Sequence, residues 1–213
     1  MSRFETDDEQ VAALKNWWDK NGTQLLTGVL IVVLAWSGWT YYQKNQIAKA
    51  SHASTTFEVL QSKMQQGAFG DVAREGLKLM EEQPDSPYST ATALMLAKYE
   101  LNKGEVDEAL KHLNWVVKQH LDDAMVLIAQ LRIANIYIDQ KQYEQAKTLL
   151  ASIQADKLVD AEKANYDYVS AQLALKQSRF DDARKALQNV VDNAKAPTNL
   201  QNIARLQLDD LTQ

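Results

Sequence analysis

The feature that most constrains this chain is an uncharged stretch near its beginning. Residues 21–43 contain no Asp, Glu, Lys or Arg, and the centre of the stretch reads LLTGVLIVVLA. A helix over 23–42 would be about 30 Å long, the hydrocarbon thickness of a bilayer. Aromatic rings prefer the headgroup level and flank the stretch on both sides. The sequence therefore predicts one transmembrane helix over 23–42 with five membrane-interface anchors: Trp17, Trp18, Trp39, Tyr41 and Tyr42.

A buried core helix or a cleavable signal peptide could also produce an apolar stretch near the N-terminus. A core helix at the edge of a globular domain carries a polar stripe, which this run lacks. A signal peptide places an apolar region of about 7–15 residues behind a short basic leader. Here the first 20 residues hold five acidic and three basic side chains. We therefore expect an uncleaved membrane anchor.

The charges around the span say little about its orientation. Three basic residues precede it and two follow it closely, so the positive-inside rule only slightly favours a cytoplasmic N-terminus. The tail over 1–22 is predicted to form a short helix ending near residues 21–22. This helix either lies on the inner membrane face and leads into the span, or is a docking or regulatory element. Its prediction rests on apolar residues along one helix face: Val11, Leu14, Trp17 and Trp18.

The rest of the chain, residues 43–213, carries a repeated pattern. Alanines recur 36, 37 and 37 residues apart: Ala73, Ala109, Ala146 and Ala183. Four residues after each alanine stands a leucine: Leu77, Leu113, Leu150 and Leu187. Small residues let two antiparallel helices approach closely, and apolar residues four positions on close the core between them. The first unit departs from the pattern, because Gln61 replaces the small residue and Gly70 replaces the aromatic residue.

This pattern resembles the tetratricopeptide repeat (TPR) family. Residues 104–110, 142–146 and 179–183 match the turn and the second-helix start of that repeat, and the resemblance covers about 53–195. After Pro197, apolar residues at helical spacing predict a capping helix over 198–212. The expected fold is therefore all-α: one N-terminal transmembrane helix, a TPR-like α-solenoid and a C-terminal capping helix.

The sequence contains no arrangement of residues suited to catalysis. Cysteine is absent, which excludes disulfides and thiolate metal sites. His112 and His120 are eight residues apart, about 12 Å along a helix, too far to share a metal ion. The net charge of −5 provides no basic excess for nucleic acid. We predict a non-enzyme without cofactor or metal.

The TPR resemblance implies a binding surface. In that family the first helix of each repeat lines a concave wall that binds peptides. Asn135 matches a position of the family's carboxylate clamp, but Leu131 stands where a lysine is needed, which favours apolar or amphipathic segments. Leu94 and Leu131 could equally serve to pack the repeats together. The predicted partner-binding groove comprises Leu94, Lys98, Leu131, Asn135, Tyr168 and Gln172.

A closer resemblance covers nearly the whole chain. The tail DEQVAALKNWWDKNG at 8–22, the span and the TPR domain resemble the YfgM family, the ancillary subunits of the bacterial SecYEG translocon. The resemblance implies a single-pass inner-membrane protein, in contact with lipid, with a cytoplasmic tail and a periplasmic domain. Its implied partners are SecYEG, a PpiD-type membrane-anchored chaperone, and unfolded or translocating client proteins.

That resemblance implies a periplasmic adaptor or holdase at the translocon exit that passes translocated proteins to periplasmic chaperones. The alternative is an inner-membrane TPR scaffold whose domain lies in the cytoplasm. Such a scaffold would sequester a signalling or regulatory protein.

Overall fold

The computed structural model describes residues 3–211, with side chains described from Gln10 onward. Within this range the chain is helical and contains no strand, which confirms the predicted all-α class. The described part of the chain forms nine helices: α1 (Arg3–Gln65), α2 (Phe69–Glu82), α3 (Pro87–Lys103), α4 (Val106–Gln119), α5 (Asp123–Asp139), α6 (Tyr143–Ser152), α7 (Asp160–Lys176), α8 (Phe180–Asp192) and α9 (Thr198–Asp210).

The chain divides into two compact units, Met1–His52 and Ala53–Gln213. The first unit is helical, and its apolar side chains lie on the surface all round the helix. Leu26, Ile31 and Leu34 are 57%, 62% and 63% exposed. Among the described residues, one helix is long and apolar enough to cross a membrane: the part of α1 over Gln10–Gln65. None of its most apolar segment is buried. A helix that is apolar on every side suits lipid, because its side chains favour the acyl chains and its backbone groups are hydrogen-bonded within the helix.

The helix end expected at residues 21–22 is absent, because α1 continues through it. The Asn21 side chain donates to the carbonyl of Trp17 at 3.0 Å, a bond along the helix rather than a cap. The indole of Trp18 covers Gly22, where an added Cβ would lie 3.1 Å from the ring. A glycine inside a helix costs about 1 kcal/mol, which is too little to end a helix. The predicted separate tail helix was wrong for this reason.

The second unit consists of helix pairs that repeat every 37 residues. The second helix of each pair starts at an equivalent position: Phe69, Val106, Tyr143 and Phe180. The turn inside each pair holds a residue with positive φ at the same spacing: Gly67, Gly104, Lys141 and Ser178. The last helix, α9, packs against α8 and α7 around Leu187 and Ala204, as expected of a capping helix. Residue 212, the predicted end of that helix, lies outside the described residues.

The 37-residue period corrects the sequence register of the first pair. In α4 the buried positions are Ala109, Leu113 and Val116. One period earlier these correspond to Val72, Gly76 and Leu79, all of which are buried. The alanine expected at this position, Ala73, is one residue late, and Leu77 is 51% exposed. The first alanine-to-alanine interval of 36 was therefore a misalignment.

An exchange of a large and a small side chain explains that misalignment. Leu60 is fully buried, and its equivalent in the next pair is Ala97. Gly76 is buried too, and its equivalent in the next pair is Leu113. A Cβ added to Gly76 would lie 3.8 Å from Cδ1 of Leu60. The volume missing from α2 is therefore supplied by α1, and the contact stays filled. Small residues at fixed positions do not reveal this unit, because its small residue lies on the other helix of the pair.

Candidate functional site

The first helices of the pairs form the wall on which the predicted site residues lie. These helices are residues 53–65 of α1, then α3, α5 and α7. The predicted residues recur at intervals of 37, from Leu94 to Leu131 to Tyr168. One further step back reaches Phe57, and the same step from Lys98 reaches Gln61. These first two positions do not follow from the alanine spacing, because that spacing places the first unit one residue too far along the chain.

A groove with a volume of about 590 Å³ lies between the end of α1 and α3. Phe69 and Tyr99 stack at one side of it, with ring centroids 4.7 Å apart and planes at 23°. The ring of Phe57 lies 6.0 Å from that of Tyr88. Stacked rings have few rotamers, whereas methionines adapt to the shape of a ligand. The apolar lining consists of Phe57, Met64, Phe69, Met95 and Tyr99.

The remaining groove side chains are amides and lysines. None of the ten described residues that line the groove is acidic. Lys103 lies 3.0 Å from Glu100, whose hydrogen bond raises the pKa of that ammonium, and 5.2 Å from the centre of the Tyr99 ring. Lys98 is exposed and forms no ion pair within the described part of the chain. The polar lining consists of Gln61, Gln65, Lys98, Asn102 and Lys103.

Two of the predicted groove residues lie in the core. Leu94 is 8% exposed and Leu131 is 6% exposed. The guanidinium of Arg132 on α5 donates to the carbonyl of Leu94 at 3.0 Å, which ties α5 to α3. Burial lowers the pKa of Arg132 below its usual value. Both leucines therefore contribute mainly to packing, whereas Asn135, one turn after Leu131, is exposed.

The other end of the wall is partly occupied by the capping helix. Gln172 donates from its side-chain nitrogen to Oε1 of Gln207 on α9 at 2.8 Å. Tyr168 is half-buried and packs against the core cluster that includes Leu187 and Ala204. The structure thus places Lys98 in the groove, leaves Asn135 on the open surface, and uses the amide of Gln172 inside the chain.

A second depression, of about 510 Å³, lies between the second helices of the first two pairs. Leu77, Met80, His112 and Trp115 are among the residues that line it. Burial lowers the pKa of His112, against the raising effects of Glu100 and Glu108. Within the described residues, no group of three or more His, Asp or Glu side chains lies close enough together to hold a metal ion.

The predicted membrane anchors all belong to the first unit. Trp39 and Tyr42 lie near each other, with ring centroids 6.5 Å apart. All five rings are exposed, so they are available to an interface: Trp17, Trp18, Trp39, Tyr41 and Tyr42.

Comparison with known proteins agrees with this architecture. A family model described as a tetratricopeptide repeat-like domain matches residues 15–213. The protein named ancillary SecYEG translocon subunit of Escherichia coli K12 is 26% identical over 73% of this chain and 75% of its own length. Proteins of the same name from Haemophilus influenzae and Neisseria gonorrhoeae are 24% and 25% identical, over 70% and 73% of this chain and 73% and 76% of their own lengths.

No solved structure matches the chain significantly. The resemblance to translocon subunits inferred from the sequence is confirmed by these relatives, and the repeat architecture by the family model. The chain belongs to the family of tetratricopeptide repeat-like domain proteins, and its curated relatives are ancillary SecYEG translocon subunits.

Proposed function

We propose that this protein is a membrane-anchored periplasmic adaptor and holdase at the exit of the Sec translocon. In this role it passes translocated proteins to periplasmic chaperones. The observation that carries the proposal is the name shared by relatives from three bacteria, which align with 70–73% of this chain. The fold supports it, since a TPR-like domain is a binding scaffold and one helix among the described residues is long and apolar enough to cross a membrane.

The physical benefit of the anchor is local concentration. A domain tethered beside a translocon meets an emerging chain at an effective concentration near the millimolar range, so weak contacts are sufficient. A chain that has just crossed the membrane is unfolded and exposes apolar side chains. The groove offers apolar contacts together with the amides of Gln61, Gln65 and Asn102, which can bond a client's backbone whatever its sequence.

The proposed partners follow from this arrangement. The span and its exposed aromatic rings contact lipid and SecYEG in the inner membrane, with the tail in the cytoplasm. The repeat domain contacts client segments and a PpiD-type membrane-anchored chaperone in the periplasm. Binding and release require no bond chemistry, so the protein acts without catalysis.

Protease accessibility tests the topology on which this function depends. In spheroplasts, added protease should digest the domain beyond about residue 53 and spare an N-terminal epitope tag. Intact cells and lysed spheroplasts provide the fully protected and fully digested controls. A domain that resists digestion until the spheroplasts are lysed would refute the periplasmic role and favour the cytoplasmic scaffold.

Site-specific crosslinking tests the contact itself. A photo-crosslinking residue at Lys98 should capture a translocation-arrested secretory chain, while the same residue at Lys185, an exposed lysine on α8, should not. Equal capture at both positions, or capture of neither client nor SecYEG by any position in the chain, would contradict the proposal.

A further inference from the structure

We propose that the groove between α1 and α3 selects segments in which apolar side chains stand next to carboxylates. This inference rests on the proposed adaptor function and names the chemical class of segment that the groove takes. It is carried by three properties of the groove: its size, its apolar lining and the sign of its charge.

The size and lining suit a short run of side chains rather than a single one. A volume of about 590 Å³ is in the range of pockets that hold drug-sized ligands. Met64 and Met95 come from facing helices, so the floor can adapt to side chains of different shape. Phe57 is half-exposed and lies outside the buried clusters of the domain, which leaves its ring available to a partner.

The charge of the groove opposes that of the chain. The protein carries a net charge of −5, yet this groove is lined by two lysines and by no acid among its described residues. Lys103 is partly balanced by Glu100, but Lys98 has no carboxylate partner in the described part of the chain. Arg132 adds a positive charge beside α3, where it donates to the carbonyl one turn before Lys98.

A carboxylate on the partner fits this surface for a specific reason. An ammonium that forms no ion pair gains from an added anion without breaking an existing salt bridge, and at an exposed position the cost in lost hydration is small. A basic segment meets the same lysines with repulsion, which makes the groove discriminate by sign. The apolar side chains supply most of the affinity, and the lysine supplies the selection.

Three fluorescent peptides with the full chain in lipid nanodiscs test this. The first has an apolar core with flanking glutamates, the second the same core with flanking lysines, and the third a polar core with glutamates. Fluorescence anisotropy at low salt should show the first bound about fivefold more tightly than the second. The first peptide should also bind about tenfold more tightly than the third. The preference for the first peptide over the second should shrink at 0.5 M salt, because the Debye length is then only about 4 Å and the charges are screened.

Two pairs of variants locate the site. Lys98→Glu should reverse the preference between the first two peptides, and Lys185→Glu should leave it unchanged. Phe57→Gln should weaken both apolar peptides about tenfold. Val59→Gln, on the same helix but outside the groove, should have no effect, since Val59 is already 43% exposed. Melting temperatures of all four variants check that each is folded.

The two proposals can fail separately. Equal binding of the first two peptides by the wild type, or an unchanged preference in folded Lys98→Glu, would overturn the inference about the groove. In that case, retained crosslinking of the same variant to SecYEG in membranes would show that the adaptor function stands without it. If the wild-type protein formed no crosslink to SecYEG in membranes, the proposed function itself would be overturned.

Discussion

Two glycines of the same helix are expected to respond oppositely to alanine substitution. A Cβ at Gly76 would lie 2.9 Å from Cγ2 of Thr92 and 3.3 Å from Cδ1 of Leu96. Thr92 cannot easily yield, because it is fully buried and its hydroxyl donates to the carbonyl of Tyr88 at 2.8 Å. At Gly70, no atom outside its own segment lies within 4 Å of an added Cβ.

The magnitudes follow from these contacts. Overpacking a tight core contact costs about 1–3 kcal/mol of stability. Replacing a helical glycine by alanine stabilises the helix by at most about 1 kcal/mol. Gly76→Ala should therefore destabilise the domain by about 1 kcal/mol. Gly70→Ala gains helix propensity without a clash and should stabilise it by about 0.5 kcal/mol, less than in mid-helix because the residue lies in the first turn.

Urea unfolding of residues 53–213, followed by far-UV circular dichroism, measures both changes. Thr92→Ser removes the clashing methyl group and keeps the hydroxyl, so a double-mutant cycle with Gly76→Ala should give a favourable coupling of about 1 kcal/mol. If Gly76→Ala stabilised the domain as Gly70→Ala does, or if the cycle showed no coupling, the assignment of Gly76 to the core would be refuted.

Three further predictions concern the rest of the repeat domain. Ala146 is fully buried, so Ala146→Leu should cost about 1–3 kcal/mol, while Gln145→Leu at the exposed neighbour should cost little; equal melting temperatures would contradict the repeat register. Lys141 has φ of 61°, so Lys141→Gly should stabilise the domain by about 0.5–1 kcal/mol in urea unfolding, and a loss would argue against that turn. Burial holds the pKa of His112 below its usual 6.5 when folded, so the unfolded state binds the proton first as the pH falls. The free energy of unfolding should therefore decrease on acidification below about pH 6.5, and His112→Gln should flatten that dependence; identical pH profiles would exclude this residue as the cause.

The candidate site was only partly predictable. Lys98 was expected at a partner surface and lines the groove, because a fixed period carries a position from one repeat to the next. Phe57 and Gln61 follow from the same period once the first unit is correctly aligned. The burial of Leu94 and Leu131 was one of two open possibilities, since an apolar residue on a wall serves packing and binding equally well. The bond from Gln172 to Gln207 joins residues 35 apart and has no local signal.

The sequence by itself determined the apolar helix long enough to cross a membrane, the all-α class and the repeat. Each of these depends on short-range periodicity: an uncharged run long enough for a bilayer, few helix breakers, and small residues recurring where helices cross. Tertiary structure alone decided the alignment of the first pair, where Leu60 and Gly76 exchange volume between two helices. It also decided the groove, because a concave lining is built from side chains on separate elements whose distances no local pattern contains.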